Sequence, residues 1–274
     1  MQKRPTNKDV ANMAGVSVAT VSYVINGIKD KHVSEATRKK VLHAINFLNY
    51  SPNPHAVNLS TNSIQKTIAV RTSQKTCFLQ EIETLYFLQH LNNAISKTNN
   101  SFRLSYLPDK TPAQINADAC ICIDFTREEF YALSNENFIP IIAVDCLLND
   151  PVFYQVIVDY AKMKTAADHF FNSAYTFICP YSANTELKNY IYEVFDNVLF
   201  CSDLSDILIN KPKTKNVLLA QSSLFSFFDR VSEYNVYKYG EDEIFQRRAQ
   251  SVLNCIQNAI NRTNIENPKH FIKI

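Results

Sequence analysis

The stretch KDVANMAGVSVATVSYVING, residues 8–27, decides the fold. Just ahead of it stands Thr6, with Asp9 three residues on, the spacing at which each side chain satisfies the other's backbone donor at a helix start. A short helix therefore begins there, carries Val10 and Ala14 inward, and stops at Gly15, because glycine enters the left-handed region without strain. Ser17 caps a second helix that runs to about Asn26, with Val21, Val24 and Ile25 on one face and Gly27 as its stop. A polar loop, 28–32, leads to a third cap, Ser34, and to a helix whose Val41, Leu42, Ile45 and Leu48 form an apolar stripe. Three short helices with a tight Gly-containing turn between the first two make a helix-turn-helix head.

Away from its apolar stripe the second helix presents Val18, Ala19, Ser22 and Tyr23, a face without carboxylates. Thr20, Ser22 and Asn26 suit phosphate oxygens, Val18 and Ala19 suit thymine methyls, and the Tyr23 hydroxyl suits a base edge. Charge points the same way. Residues 1–62 hold eight Lys and Arg against three acids, net +5, whereas 63–274 hold 20 against 23, net −3. A basic head on a mildly acidic body indicates a polyanionic partner for the head. The same residues also fit a plain three-helix packing domain with an uncharged face.

With 274 residues, 46% of them hydrophobic, the chain has length for about two domains and apolar content for a substantial core. Its three glycines, 15, 27 and 240, exclude the clustered glycines of a dinucleotide fingerprint, a P-loop or a nucleophile elbow. The seven cysteines lack Cys-x-x-Cys spacing and read as reduced and buried, with Cys120 and Cys122 on one face of a strand. No catalytic residue set, metal site or cofactor is expected. The start lacks an apolar signal run, and no window approaches ~18 uninterrupted apolar residues, so the expectation is a cytoplasmic protein with no membrane partner.

From Thr67 onward, short apolar runs alternate with helical patterns, the signature of parallel sheets with crossover helices. Asp124, Asp145 and Asp159 each end such a run, where α/β folds place ligands; for Asp124 and Asp159 the first reading is a cap on the following helix. LFSFFDRV, 224–231, reads as lobe core, dimer face or peptide-binding patch. Between head and body, Asn53 and Pro54 suit the start of a helix over 54–60, too short to be stable alone.

The run from Lys8 to Gly27, followed by HVSEATRKKVLHAINFLNYSPN (32–53) and Leu59, resembles the N-terminal region of the lac-repressor (LacI/GalR) family of bacterial transcriptional regulators. The AGVS turn, the TVSxVIN helix, the VSxxTR helix and the NYxPN hinge entrance carry it. The resemblance implies a hinge helix that folds when two copies meet on the minor groove, with Leu59 wedged between base pairs. The expected DNA contacts are Thr6, Ser17, Val18, Ala19, Thr20, Ser22, Tyr23, Asn26, His32, Asn53, His55 and Leu59. Two departures stand out: no Arg in the first hinge turn, and Tyr23 where the family commonly has Arg or His, so the preferred operator base does not carry over.

IPIIAVDC (139–146), VIVDYAKMKTAADHFF (156–171) and EDEIFQRRAQSVLNCIQNAI (241–260) resemble later parts of the same family. They imply an α/β, two-lobed, periplasmic-binding-protein-like body that closes on a small molecule. Asp145 matches the family's sugar-site aspartate; Lys188 stands near an expected Arg, and Gln221, Ser222 and Ser223 replace an Asn-Asp pair. Phe78, Asp145, Lys188 and Gln221 are the candidate effector contacts. The stretch between about 174 and 233 reads as having lost strands and helices. The expected division is a head over 1–50, a hinge and linker over 51–62, and a body over 63–274. Its first lobe takes about 63–157 and 234–265, and its second lobe 158–233 and the C-terminal end. The implied function is a homodimeric repressor on a pseudo-palindromic double-stranded operator, with a degenerate pocket for an unknown small-molecule or protein effector. The alternative is a solute-binding or enzymatic α/β protein that keeps the head as a relic.

Overall fold

A computed structural model of the chain describes residues 6–25, 33–48, 66–98, 102–106, 115–220, 222–231, 233–261 and 270–274. The expectations for Asn26, His32, Asn53, His55, Leu59 and Gln221, and for the hinge helix, lie outside these residues. The chain divides into two compact units, Met1–Gln65 and Lys66–Ile274.

In the head, α1 (Asn7–Ala14), α2 (Val18–Ile25) and α3 (Glu35–Phe47) follow the local signals. Thr6 and Asp9 form the capping box, and Gly15 ends α1 in the left-handed region at φ 67°. Val10, Ala11, Ala14, Val21, Val24, Val41 and Ala44 close into a small core, with Val16, Ile45 and Leu48 packed at its edge.

The body holds two all-parallel sheets. The first contains β1 (Lys66–Thr72), β2 (Phe102–Tyr106), β3 (Ala119–Ile123), β4 (Ile141–Val144), β5 (Tyr154–Ile157) and β10 (Phe271–Lys273), in the order β10-β5-β4-β3-β1-β2. The second contains β6 (Thr176–Pro180), β7 (Val198–Cys201), β8 (Asn216–Leu219) and β9 (Asn235–Lys238), in the order β7-β6-β8-β9. Helices α4 (Phe78–Ser96), α5 (Arg127–Glu136) and α10 (Glu241–Asn261) belong with the first sheet; α6 (Tyr160–Phe171), α7 (Thr185–Val194), α8 (Leu204–Ile209) and α9 (Ser222–Phe228) belong with the second. Strands covered on both faces read as continuous apolar runs, and all of β3 and β4 is buried. Ile121 and Ile123 of β3 face the α4 and α10 side, while Cys120 and Cys122 face α5.

Two boundaries differ from expectation. The C-terminal end belongs with the first lobe, because Phe271, Ile272 and Lys273 pair with Gln155, Val156 and Ile157 at the open edge of β5. The stretch from 234 first completes the second sheet, since β9 pairs in parallel with β8; the chain returns only after Gly240, at φ 72°. Residues 174–233 are also richer than expected, holding α8 and α9 in addition to the foreseen elements. The two lobes interlock: Leu79, in the first turn of α4, is buried in the second lobe's core with Ile178, Val217, Leu219 and Leu224.

Candidate DNA-binding head and interlobe cleft

In the head, Ser17 Oγ accepts from the Thr20 amide at 3.0 Å and lies 2.9 Å from the Thr20 hydroxyl, which fixes the start of α2. Ser34 does the same for α3, accepting from the Thr37 amide at 3.2 Å. With Val21 and Val24 turned into the core, α2 leaves Ser17, Val18 and Ala19 exposed and Thr20, Ser22 and Tyr23 half-buried beside them. No acidic side chain lies on α2. Thr6 is exposed, but its hydroxyl donates to Asp9 at 2.6 Å, so it also works as the cap of α1. The described expected contacts thus fall on α2 and at the starts of α1 and α2. Such a face offers small hydrogen-bonding groups and methyls to a groove and no like charge to its phosphates.

The interlobe cleft forms where β3 and β4 end. Asp124 and Asp145 follow these strands, both in the left-handed region at φ 56° and 50°, which Asp tolerates better than most residues. Asp159 caps α6 as expected, accepting from the Lys162 amide at 3.1 Å. Asp124 does not cap α5. Thr126 takes that place, with its own capping box to Glu129. Asp124 instead reaches across the cleft and accepts from the Ser182 hydroxyl at 2.5 Å and the Ala183 amide at 2.9 Å.

Three further groups join the lobes. Glu83 of α4 accepts from the Ser223 amide at 2.8 Å. Asn184 is fully buried; it caps α7, accepts from the Leu147 amide at 3.2 Å and donates to the Phe125 carbonyl at 2.8 Å. The Cys77 thiol, half-buried at the start of α4, donates to the Tyr181 carbonyl at 3.4 Å. Asp145 does not cross the cleft; it pairs with Arg248 of α10 at 2.8 Å, both side chains buried.

Burial pushes Glu83 and Asp124 up to about 7 despite their amide donors. It pushes Asp145 upward as well, opposed by the Arg248 guanidinium. Gln80, Glu83, Asp124, Asp145, Tyr160 and Arg248 are among the residues around a cavity of about 30 Å³. Small-molecule sites span roughly 300–1,000 Å³, so this closed cleft has room for about one or two waters.

Of the candidate effector contacts, Asp145 lines the cavity. Phe78 is 61% exposed, and Lys188 donates to the Tyr181 hydroxyl at 2.7 Å, outside the lining. Glu83 and Arg248 were absent from the sequence-based set, although each carried a signal. Glu83 interrupts the fourfold stripe Leu79, Phe87, Leu91, Ile95, and Arg248 sits in the apolar register of Ile244, Phe245 and Val252.

Among the described residues no cluster of three or more His, Cys, Asp or Glu side chains is suited to a metal ion, and no helix is long and apolar enough to cross a membrane. Cys120 and Cys122 are both fully buried with their sulfurs 3.9 Å apart.

Comparison with known proteins matches residues 6–53 to the family described as bacterial regulatory proteins, lacI family. The transcriptional repressor PurR of Pasteurella multocida is 34% identical over 151 residues, covering 51% of this chain and 43% of the relative. PurR of Vibrio parahaemolyticus is 33% identical over 147 residues with the same shares. The chain thus spans less than half the length of these relatives. The fold matches the lac repressor dimer bound to operator and the anti-inducer ONPF at a TM-score of 0.55, with 16% identity over 96% of this chain and 94% of that one. A LacI family transcription regulator from Clostridium acetobutylicum matches at 0.54, with 17% identity over 76% of this chain and 97% of that one. Residues 6–53 thus match the lacI family of bacterial regulatory proteins, and the chain shares the fold of the solved lac repressor.

Proposed function

We propose that the chain is a cytoplasmic, homodimeric transcriptional repressor that reads a pseudo-palindromic operator through two helix-turn-helix heads. The observation that carries this reading is the carboxylate-free face of α2, fixed by the Ser17 cap on a head of net charge +5. The relatives named as repressors and the operator-bound dimer among the fold matches support it. Val18, Ala19 and Tyr23 address base edges; Thr6, Ser17, Thr20, Ser22, Asn26 and His32 address backbone. Asn53, His55 and Leu59 complete the contacts through the minor groove. The body's pocket is degenerate toward sugars: its matching aspartate is held by Arg248, and its cavity is too small for a hexose.

Fluorescence titration of the full chain against genomic DNA fragments tests this. A subset of fragments binds tightly, with affinity falling steeply as salt rises. Tyr23→Ala relaxes preference at one base position, an effect of about 1–3 kcal/mol. Equal affinity for all fragments at physiological salt would refute sequence-specific binding, and uniform weakening by Tyr23→Ala would move that side chain to the phosphate backbone.

A further inference from the structure

The cleft joins its lobes through two acids that no local pattern requires. Glu83 and Asp124 come from separate first-lobe elements, and each crosses to a backbone amide of the second lobe, at Ser223 and Ala183. Both are almost wholly buried. The groups that face them are Asp145 after β4, Arg248 from α10, Tyr160 from α6, and the thiols of Cys77, Cys146 and Cys179. Burial raises Tyr160 and the three thiols, so they stay neutral through the neutral range. Arg248 is paired with Asp145. Ionising both Glu83 and Asp124 therefore adds two negative charges to a narrow space of about 30 Å³ beside a third carboxylate.

We propose that Glu83 and Asp124 are a pair of proton-operated latches across the cleft: protonated, they hold the lobes shut, and ionised together they release them. Their arrangement belongs to the body alone and does not depend on the head binding DNA. Both acids titrate at about 7 in the closed form, above the ordinary carboxylate range that an opened, wet cleft restores. Closure is thus fully favoured at acid pH and lost as pH rises through 7. Between pH 6 and 8 the closed-to-open ratio falls about tenfold for each latch and about a hundredfold for the two. Leu79, plugged into the second lobe's core, sets the level from which that ratio falls.

Hydrogen exchange of the full chain without DNA, from pH 6 to 8 and corrected for intrinsic rates, reads closure at segments 181–187 and 222–228. Wild type loses protection there by about a hundredfold. Glu83→Gln or Asp124→Asn alone leaves about a tenfold loss, and the double variant is flat. Leu79→Ala lowers protection at every pH without changing the slope. A flat wild-type profile, an undiminished slope in the amide variants, or a slope abolished by Leu79→Ala would each overturn the proposal. The single variants keep the test decisive if the double variant fails to fold.

Discussion

The head and the cleft are built by opposite means. In the head, each fixed point joins residues three apart: Thr6 with Asp9, Ser17 with Thr20, Ser34 with Thr37. In the cleft, Glu83 meets Ser223, Asp124 meets Ala183, and Asp145 meets Arg248, all across long stretches of chain. Local caps are exposed to water, and each contributes modestly. Polar groups brought together by the whole fold are buried, so losing one partner is costly. A recognition surface can thus be set by short-range sequence while the body's state depends on tertiary pairing.

The largest test of this contrast is Arg248→Met. It strands Asp145 in a buried site and lowers the unfolding free energy by about 3–5 kcal/mol in a urea titration. Adding Asp145→Asn removes the stranded charge, keeps a residue that tolerates the left-handed backbone, and restores most of the loss. A loss below about 1 kcal/mol for Arg248→Met would put this pair in the range of surface ion pairs. Smaller is Thr6→Ala, which removes the capping box of α1 and costs the helix about 1 kcal/mol. Hydrogen exchange over residues 7–14 of the full chain reads that change, with protection in the body unaltered. Equal loosening of the body would erase the distinction between the two regions.

The same contrast explains what was legible in the sequence. The three caps and Gly15 were visible because every partner lay within one helical turn. Strands β3 and β4 were visible because burial on both faces leaves unbroken apolar runs. The short elements α8, α9 and β9 were not: LSDILI and SSLFSFF are too brief to show a period, and NVYK does not separate itself from its neighbours. The aromatic stretch 224–231 proved to be lobe core, with Leu224 and Phe228 buried. Strand β10 could be recognised, but three residues do not say which sheet edge accepts them. Glu83 and Arg248 showed as charges in apolar registers without disclosing their partners. Asp124 was misread because Thr126, two residues on, is the better cap, which freed the aspartate to cross the cleft.

Cys77 supplies a built-in reporter. All seven thiols are free, and the other six are buried, whereas Cys77 is half-exposed with its sulfur against two second-lobe carbonyls, those of Tyr181 and Cys201. Burial raises this thiol, so little thiolate forms while the lobes are shut. An aromatic disulfide reagent therefore modifies one cysteine per folded chain, slowly, and its rate follows how often the α4 end of the cleft parts. Rapid modification of several thiols would instead report unfolding. The native chain thus carries a kinetic clock for the opening of its own cleft, readable in a cuvette without any engineered label.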